Sequence, residues 1–259
     1  MDVDVSNFSL GILCAAFFLL GLFDAVCGGG GLISMPTFLS LGFPVHFILG
    51  TTQCSALPGA AIALLRFIRG GRVYWKTALL AAPLAAIGGF LGARLNIILP
   101  AAYLQMVMVI LLPIMAVFML VKRDFGMECH PETLSRGRII GSVLIIGLVI
   151  GTYQGFYGAG CGLFYLLAFT VLNRLDMITA SGNSKVVMLC ATVIAALTYA
   201  LSGVVVWKVV FWVVPFNILG NYIGANLALT KGARVIRPMF FFVLGLLFVR
   251  MITTVFFGE

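Results

Sequence analysis

The stretch Asp24-Ala25-Val26-Cys27-Gly28-Gly29-Gly30-Gly31-Leu32-Ile33 decides how this chain folds. Four consecutive glycines form poor helix, so the backbone is predicted to break before the short apolar segment Leu32–Leu41. Ten helical residues reach about 15 Å, half of a ~30 Å hydrocarbon core. The cluster Gly155-Phe156-Tyr157-Gly158-Ala159-Gly160-Cys161-Gly162, followed by Leu163–Leu172, repeats this order. Each cluster therefore predicts a helix break followed by a half-length helix.

The composition predicts that these breaks lie in a membrane. Of the 259 residues, 62% are hydrophobic and 9% are charged, whereas soluble domains carry about 25% charged residues. A soluble chain must present a polar exterior to water, so we predict an integral membrane protein. The net charge of +8 comes mainly from short connections between apolar runs, which is typical of cytoplasmic loops. It lacks the clustered basic footprint of a nucleic-acid binder, and that class is excluded.

Apolar runs long enough to cross a bilayer predict eight long spans in an all-α protein. They cover residues 8–26, 45–65, 77–97, 101–121, 139–156, 177–201, 205–229 and 238–257. The polar residues 122–138 separate two halves of five segments each, counting the half-length helices. We predict a first membrane repeat at 1–121, a linker at 122–138 and a second membrane repeat at 139–259.

The two halves repeat one another in sequence. A shift of 130 residues places Gly28 on Gly158, and further along a shift of 132 places Trp75 on Trp207. An ordered series of such matches is typical of secondary transporters built by duplication.

The basic loops indicate that the repeats are inverted. The connection before Trp75 carries Arg66, Arg69 and Arg72, whereas the equivalent connection before Trp207 carries no charge. Under the positive-inside rule, a charge that switches between equivalent loops means opposite orientations. Loops 66–76, 122–138 and 229–237 are predicted to be cytoplasmic, and both termini are predicted to lie outside.

The glycine clusters are also candidates for ligand binding. Broken backbone inside a membrane persists only where protein or water satisfies its polar groups, and a helix N-terminus attracts anions. The candidate substrate-binding glycines are Gly28, Gly29, Gly30, Gly31, Gly158, Gly160 and Gly162. Close helix packing is the alternative role for glycine in a membrane.

Neutral polar residues near the starts of the two following long helices join the candidate site. The run 50–53 is matched with the run 180–183, and its hydrogen-bonding groups suit an oxyanion. The candidates are Thr51, Thr52, Gln53, Ser181 and Asn183. The alternative role of each is polar packing between helices.

Two ionisable residues lie within the predicted helices. An intramembrane carboxylate is costly and usually functional, so Asp24 is a candidate for proton coupling, with helix capping as the alternative. Lys185 is a candidate anion ligand, with snorkelling to the membrane interface as its alternative. Inverted halves around one site would let the two side chains pair.

The motifs of other function classes are lacking. Residues 128–132 do not have the spacing of a structural metal site, and no phosphate-binding loop or Ser-His-Asp set occurs. We expect neither metal nor cofactor, and no enzymatic activity. Two alternatives to a transporter stay open: an anion channel, which needs a continuous polar lining, and a membrane-embedded enzyme using Cys27 or Cys161.

These residues resemble the TauE/SafE family, named for exporters of sulfite and organosulfonates. The resemblance covers nearly the whole chain and is most specific at 24–33, 155–162 and Lys231-Gly232-Ala233-Arg234-Val235-Ile236-Arg237-Pro238. It implies a bacterial inner-membrane transporter of a small anion, with sulfur oxyanions and sulfonates as candidate substrates. It also matches Lys185 to a lysine of the family's second half. We expect alternating access at a midplane site between the repeats, with protons as a candidate coupling ion.

Overall fold

The computed structural model describes residues 7–99, 136–243 and 245, and within them the regular structure is helical. The first half contains α1 (Asn7–Cys27), α2 (Gly31–Ser40), α3 (Val45–Arg69) and α4 (Trp75–Ile98). The second half begins with α5, which runs as α-helix Arg136–Leu144, π-helix Ile145–Ile150 and α-helix Gly151–Phe156. It continues with α6 (Cys161–Leu172), α7 (Met177–Leu201), α8 (Trp207–Lys231) and α9 (233–243).

Six helices of the described part are long and apolar enough to cross a membrane, which makes this a multi-pass membrane protein. They confirm the predicted spans 8–26, 45–65, 77–97, 139–156, 177–201 and 205–229 to within a few residues. The predicted span 101–121 and most of the linker 122–138 lie outside the described residues. So do residues 244 and 246–257 of the predicted span 238–257, whose earlier residues belong to α9.

Each glycine cluster forms the tip of a helical hairpin, so both predicted breaks are confirmed. At the first tip α1 ends at Cys27, Gly28 adopts a φ of 79°, and α2 folds back so that the Phe38 ring lies 5.8 Å from that of Phe17. At the second tip Gly158 and Gly160 adopt φ values of 75° and 74° between α5 and α6. Glycine adopts positive φ without the steric cost of a Cβ.

Small residues let the first helix of each half pack closely against the fourth helix of the other half. On α4, a Cβ at Gly88 would lie 2.7 Å from the Thr152 nitrogen of α5. On α8, a Cβ at Gly220 would lie 2.9 Å from the Leu22 nitrogen of α1. The two contacts pair residues that the sequence shifts of 130 and 132 relate to each other.

The long helices α3 and α7 run antiparallel through the bundle interior. Near the start of α3, Gly50 faces the Val204 carbonyl beyond the end of α7, and near the start of α7, Gly182 faces the Arg72 carbonyl beyond the end of α3. Because each helix starts beside the end of the other, their directions are opposite.

The basic residues cluster at one end of the bundle. Arg66 donates a hydrogen bond to Asn226, and Gly70 packs on Leu229, so the ends of α3 and α8 lie together. The helix ends and loops at this end, which we call the basic face, include Arg66, Arg69, Arg72, Lys76, Arg174, Lys231, Arg234 and Arg237. At the opposite face, where α1, α3 and α8 begin, the described residues include the basic side chains Arg94 and Lys208.

Candidate functional site

The two hairpin tips are in direct backbone contact inside the bundle. The Gly162 nitrogen donates to the Gly28 carbonyl at 3.1 Å, and a Cβ at Gly28 would overlap the Gly162 Cα. Beside this contact, a Cβ at Gly31 would lie 2.8 Å from the Ala159 Cα. The two hairpin tips therefore meet where only small residues fit.

A cavity lies between these tips and the central helices α3 and α7. It offers about 60 Å³ to the centres of water molecules, several times the minimum needed for one water. Its polar lining comprises Asp24, Ser34, Thr52, Gln53, Gln154, Tyr157 and Thr192. The backbone of Gly31, Gly158 and Ala159 and the side chains of Cys161 and Met188 also contribute. This space suits a small ligand or a few waters.

An ion pair stands at the inner end of the cavity. The Lys185 Nζ lies 3.2 Å from the Asp24 Oδ2 and also donates to the Asp24 backbone carbonyl. The Asp24 side chain lines the cavity and is 14% exposed, whereas Lys185 is 1% exposed and lies outside the lining. The expected pairing is present. The snorkelling alternative for Lys185 is wrong, since its ammonium is buried. Among the described residues the Asp24 carboxylate pairs with Lys185, and no backbone N–H of the tip donates to it, so the capping alternative is not seen.

A neutral pair occupies the related position in the other hairpin. Gln53 Nε2 donates to the Gln154 carbonyl at 3.0 Å, as Lys185 donates to the Asp24 carbonyl. The shift of 132 relates Gln53 to Lys185, and the shift of 130 relates Asp24 to Gln154. One of two equivalent pairs is therefore charged and the other is not.

Two buried polar atoms at the cavity lack partners among the described residues. They are the Thr52 Oγ1 and the Gln154 Oε1. The Gln154 Nε2, in contrast, donates to the Met188 carbonyl and to Thr192. An unsatisfied buried group costs about 1–3 kcal/mol, so these atoms indicate that the cavity holds water or a polar ligand.

Several residues predicted for the site hold helices together instead. The Thr51 hydroxyl accepts from the Val206 nitrogen at 3.0 Å, and the Ser181 hydroxyl donates to the Val26 carbonyl at 3.1 Å. Asn183 accepts from the Tyr74 nitrogen at 2.7 Å. None of the three lines the cavity. Their contacts are those of the packing alternative.

Most of the predicted glycines also serve packing. Of the seven, Gly31 and Gly158 line the cavity. Gly29 packs against Val243, and Gly30 packs against the Leu20 carbonyl. Gly28 and Gly162 contact each other, and Gly160 precedes α6 in a left-handed conformation. A backbone-lined site thus involves fewer glycines than the sequence predicts.

The sequence match between residues 50–53 and 180–183 is wrong by two residues. The reciprocal contacts relate Gly50 to Gly182 and Thr51 to Asn183, a shift of 132. The extra two residues lie in the short helices, because α2 has 10 residues and α6 has 12.

Some cavity residues were missed by the sequence reasoning. Met188 and Thr192 follow Lys185 by three and seven positions on α7, and helical periodicity places such residues on one face. That spacing was a usable signal. Ser34 had no such signal, because its place depends on α2 folding back along α1.

Comparisons with known proteins find relatives that match most of the chain. The model of the family described as "Sulfite exporter TauE/SafE" matches residues 13–251. "Probable membrane transporter protein ORF9" of Sinorhizobium sp is 32% identical, covering 91% of this chain and 89% of its own length. "Probable membrane transporter protein YfcA" of Escherichia coli K12 is 30% identical, covering 91% and 86%. A "Probable membrane transporter protein" of Haemophilus influenzae is 30% identical, covering 92% of each. No solved structure matches significantly.

Proposed function

The chain belongs to the sulfite exporter TauE/SafE family of membrane transporters, and we propose that it moves a small anion by alternating access. The substrate is bound in the cavity where the hairpin tips meet. The observation that carries this proposal is the Asp24–Lys185 ion pair at the edge of a cavity with unpartnered polar atoms. Buried charges in membrane proteins mark substrate and proton pathways.

The proposed carrier consists of two inverted repeats. Reciprocal contacts support the duplication, since Gly50 faces Val204 as Gly182 faces Arg72. Equivalent helices that run antiparallel, as α3 and α7 do, are related by an axis perpendicular to the helices. Such an axis lies in the membrane plane. With the predicted spans 101–121 and 238–257, each repeat has five segments and the protein has eight long helices.

The proposed orientation places the basic face in the cytoplasm. Cytoplasmic loops carry the excess of Lys and Arg, and the basic side chains gather at that face. Helix α1 begins at the opposite face, which puts the N-terminus outside. The C-terminus is outside as well if 238–257 crosses once from the basic face. The proposed location is the bacterial inner membrane.

The proposed substrate is a small oxyanion or sulfonate. The buried ammonium of Lys185 supplies a positive charge, and Thr52 and Gln53 supply neutral hydrogen-bonding groups. The N-terminal ends of α2 and α6, which lack side-chain caps, add positive helix-dipole ends near the tips. The family name and this chemistry together favour sulfur-containing anions.

The proposed coupling ion is the proton. In the empty protein the Asp24 carboxylate neutralises Lys185. An entering anion replaces the Asp24 carboxylate as the partner of the Lys185 ammonium. Asp24 then accepts a proton from the cavity, so anion and proton move together. Among the described residues, the Cys27 and Cys161 thiols also lie close enough to interact with the pair.

Uptake into proteoliposomes tests the proposal. The purified protein is reconstituted and supplied with labelled sulfite, sulfate, thiosulfate, sulfoacetate, taurine or a small carboxylate, with and without a pH gradient. We expect saturable transport of at least one sulfur anion, accelerated by the gradient. Flux that does not saturate favours the channel alternative. Chemical conversion of the substrate, lost after thiol modification, favours the enzyme alternative.

A further inference from the structure

The cavity extends from the middle of the central helices towards the face opposite the basic face. Its α3 residues, between Ile48 and Ala60, belong to the part of α3 that starts at the opposite face. Its α7 residues Met188 and Thr192 belong to the part of α7 that ends there. The polar lining therefore leads from the ion pair towards the opposite face.

In the described part of the basic side, larger side chains stand at the equivalent positions. The fourth and fifth residues of α2 are Ser34 and Met35, which line the cavity, whereas those of α6 are Phe164 and Tyr165. Phe164 is 4% exposed and Tyr165 is fully buried. By the relation between the two hairpins, these larger aromatic side chains stand at the positions of the smaller cavity-lining pair.

Polar groups are nevertheless buried on this side of the bundle, near the basic face. Ser184, the equivalent of Thr52 at a shift of 132, is 2% exposed and donates to the Ala180 carbonyl within its own helix. The Tyr165 hydroxyl is buried and has no hydrogen-bond partner among the described residues. An unpaired buried hydroxyl is unfavourable. The closed conformation therefore leaves a hydrogen-bonding group on this side without a partner.

We propose that Phe164 and Tyr165 close a second, inward-facing site for the anion. The inference rests on the proposed function, because it supplies the inward-open state that alternating access requires. When the N-terminal part of α6, which carries Phe164 and Tyr165, moves away, the Lys185 ammonium and the Ser184 hydroxyl face the basic side. They bind a small oxyanion by charge-assisted and neutral hydrogen bonds. The described conformation is then the outward-facing one.

Cysteine accessibility tests this inference. Ser184→Cys is introduced with and without Phe164→Ala/Tyr165→Ala, and a membrane-impermeant maleimide is applied to inside-out and right-side-out vesicles. The matched control pairs Ser184→Cys with Leu163→Ala, which removes an equally buried α6 side chain next to Phe164. The protein without an added cysteine gives the background from its own thiols.

We expect Ser184→Cys to be labelled severalfold more from the inside in the Phe164→Ala/Tyr165→Ala background, and to stay protected with Leu163→Ala. Protection in both backgrounds, or equal labelling in both, overturns the inference. If the double variant does not accumulate, Phe164→Ala alone carries the test with the same outcomes.

A separate variant distinguishes this inference from the proposed function. Ala56→Cys stands at a partly exposed position of the cavity lining and is expected to be labelled from the outside in every background. If Ala56→Cys is labelled and Ser184→Cys stays protected, only the inward-facing site is wrong. If Ala56→Cys is inaccessible from both sides, the cavity is not on a transport pathway and the proposed function fails.

Discussion

The Lys185 ammonium lies 3.2 Å from the Asp24 carboxylate, and the two partners are buried to different extents. Lys185 is 1% exposed, whereas the Asp24 side chain is 14% exposed and borders the cavity. Breaking a buried pair leaves the remaining charge uncompensated. The loss of stability on removing one partner therefore depends on whether the remaining charge is buried or can reach water.

Asp24→Asn should destabilise the protein more than Lys185→Met. It leaves the ammonium in the interior, and removing one partner of a buried pair costs about 3–5 kcal/mol. Lys185→Met leaves a carboxylate that water in the cavity can solvate, so this variant should fold and lose anion binding. Thermal unfolding in detergent gives the order of stability, and equal losses in the two variants would contradict the argument.

The double variant Asp24→Gln/Lys185→Gln should be more stable than Asp24→Asn. It reproduces the neutral arrangement of Gln53 and Gln154, in which an amide donates to the backbone carbonyl of the facing hairpin. Its transport should be lost, or should no longer respond to a pH gradient. If the double variant retains proton-driven uptake, Asp24 is not the group that couples transport to protons.

Arg69→Cys and Arg234→Cys should react with an impermeant thiol reagent from the same side of the membrane. Both residues lie at the basic face: Arg69 ends α3, and Arg234 lies at the start of α9, just after the end of α8. Ser202→Cys, in the exposed connection between α7 and α8, should react from the other side. Labelling of Arg69→Cys and Arg234→Cys from opposite sides would refute the inverted arrangement.

Gly28→Ala should abolish stable folding, whereas Gly11→Ala should be tolerated. Gly28 has a φ of 79° and touches the Gly162 backbone, while a Cβ at Gly11 meets nothing within 4 Å. Protein yield and thermal unfolding in detergent provide the comparison. Normal stability of Gly28→Ala would mean that the two tips are further apart than the structure shows.

Gly30→Leu should also prevent stable folding, because the added side chain would clash with the Leu20 carbonyl. A loss of transport in Gly30→Leu would therefore not identify Gly30 as a ligand.

The sequence predicted the long helices and the glycine breaks because these depend on local properties. Apolar length determines a span, and the Gly28–Gly31 run cannot continue a helix. The Asp24–Lys185 pair was also predictable, since a buried ammonium requires a partner and the spans offered one carboxylate. The roles of Thr51 and Asn183 were not predictable, because each depends on a backbone nitrogen that lies more than 100 positions away in the chain.

The register between the repeats could not be set from the sequence alone. Helices α2 and α6 differ in length by two residues, and their apolar sequences contain no marker of where the difference falls. The contacts of Gly50 and Gly182, and those of Thr51 and Asn183, relate Gln53 to Lys185. With that relation known, the polar residues that line the cavity can be distinguished from those that form hydrogen bonds to the loops between helices.

Neighbouring threonines on α3 should therefore respond differently to the same substitution. Thr52→Val removes a hydroxyl that lines the cavity and has no partner in the described part of the protein. Stability should be unchanged or slightly raised. One lost hydrogen bond of about 0.5–1.5 kcal/mol would weaken anion affinity about two- to tenfold. Thr51→Val instead leaves the Val206 nitrogen without its acceptor, so it should lower stability by about 1–3 kcal/mol.

Saturation curves for uptake and thermal unfolding of the same preparations separate the two effects. The substitution is identical and the positions are adjacent, so each variant is the control for the other. Raised KM with normal unfolding is expected for Thr52→Val, and earlier unfolding with near-normal KM is expected for Thr51→Val. If Thr52→Val leaves KM unchanged, the Thr52 hydroxyl does not contact the anion, and the substrate site must be assigned to the Lys185 side of the hairpin tips.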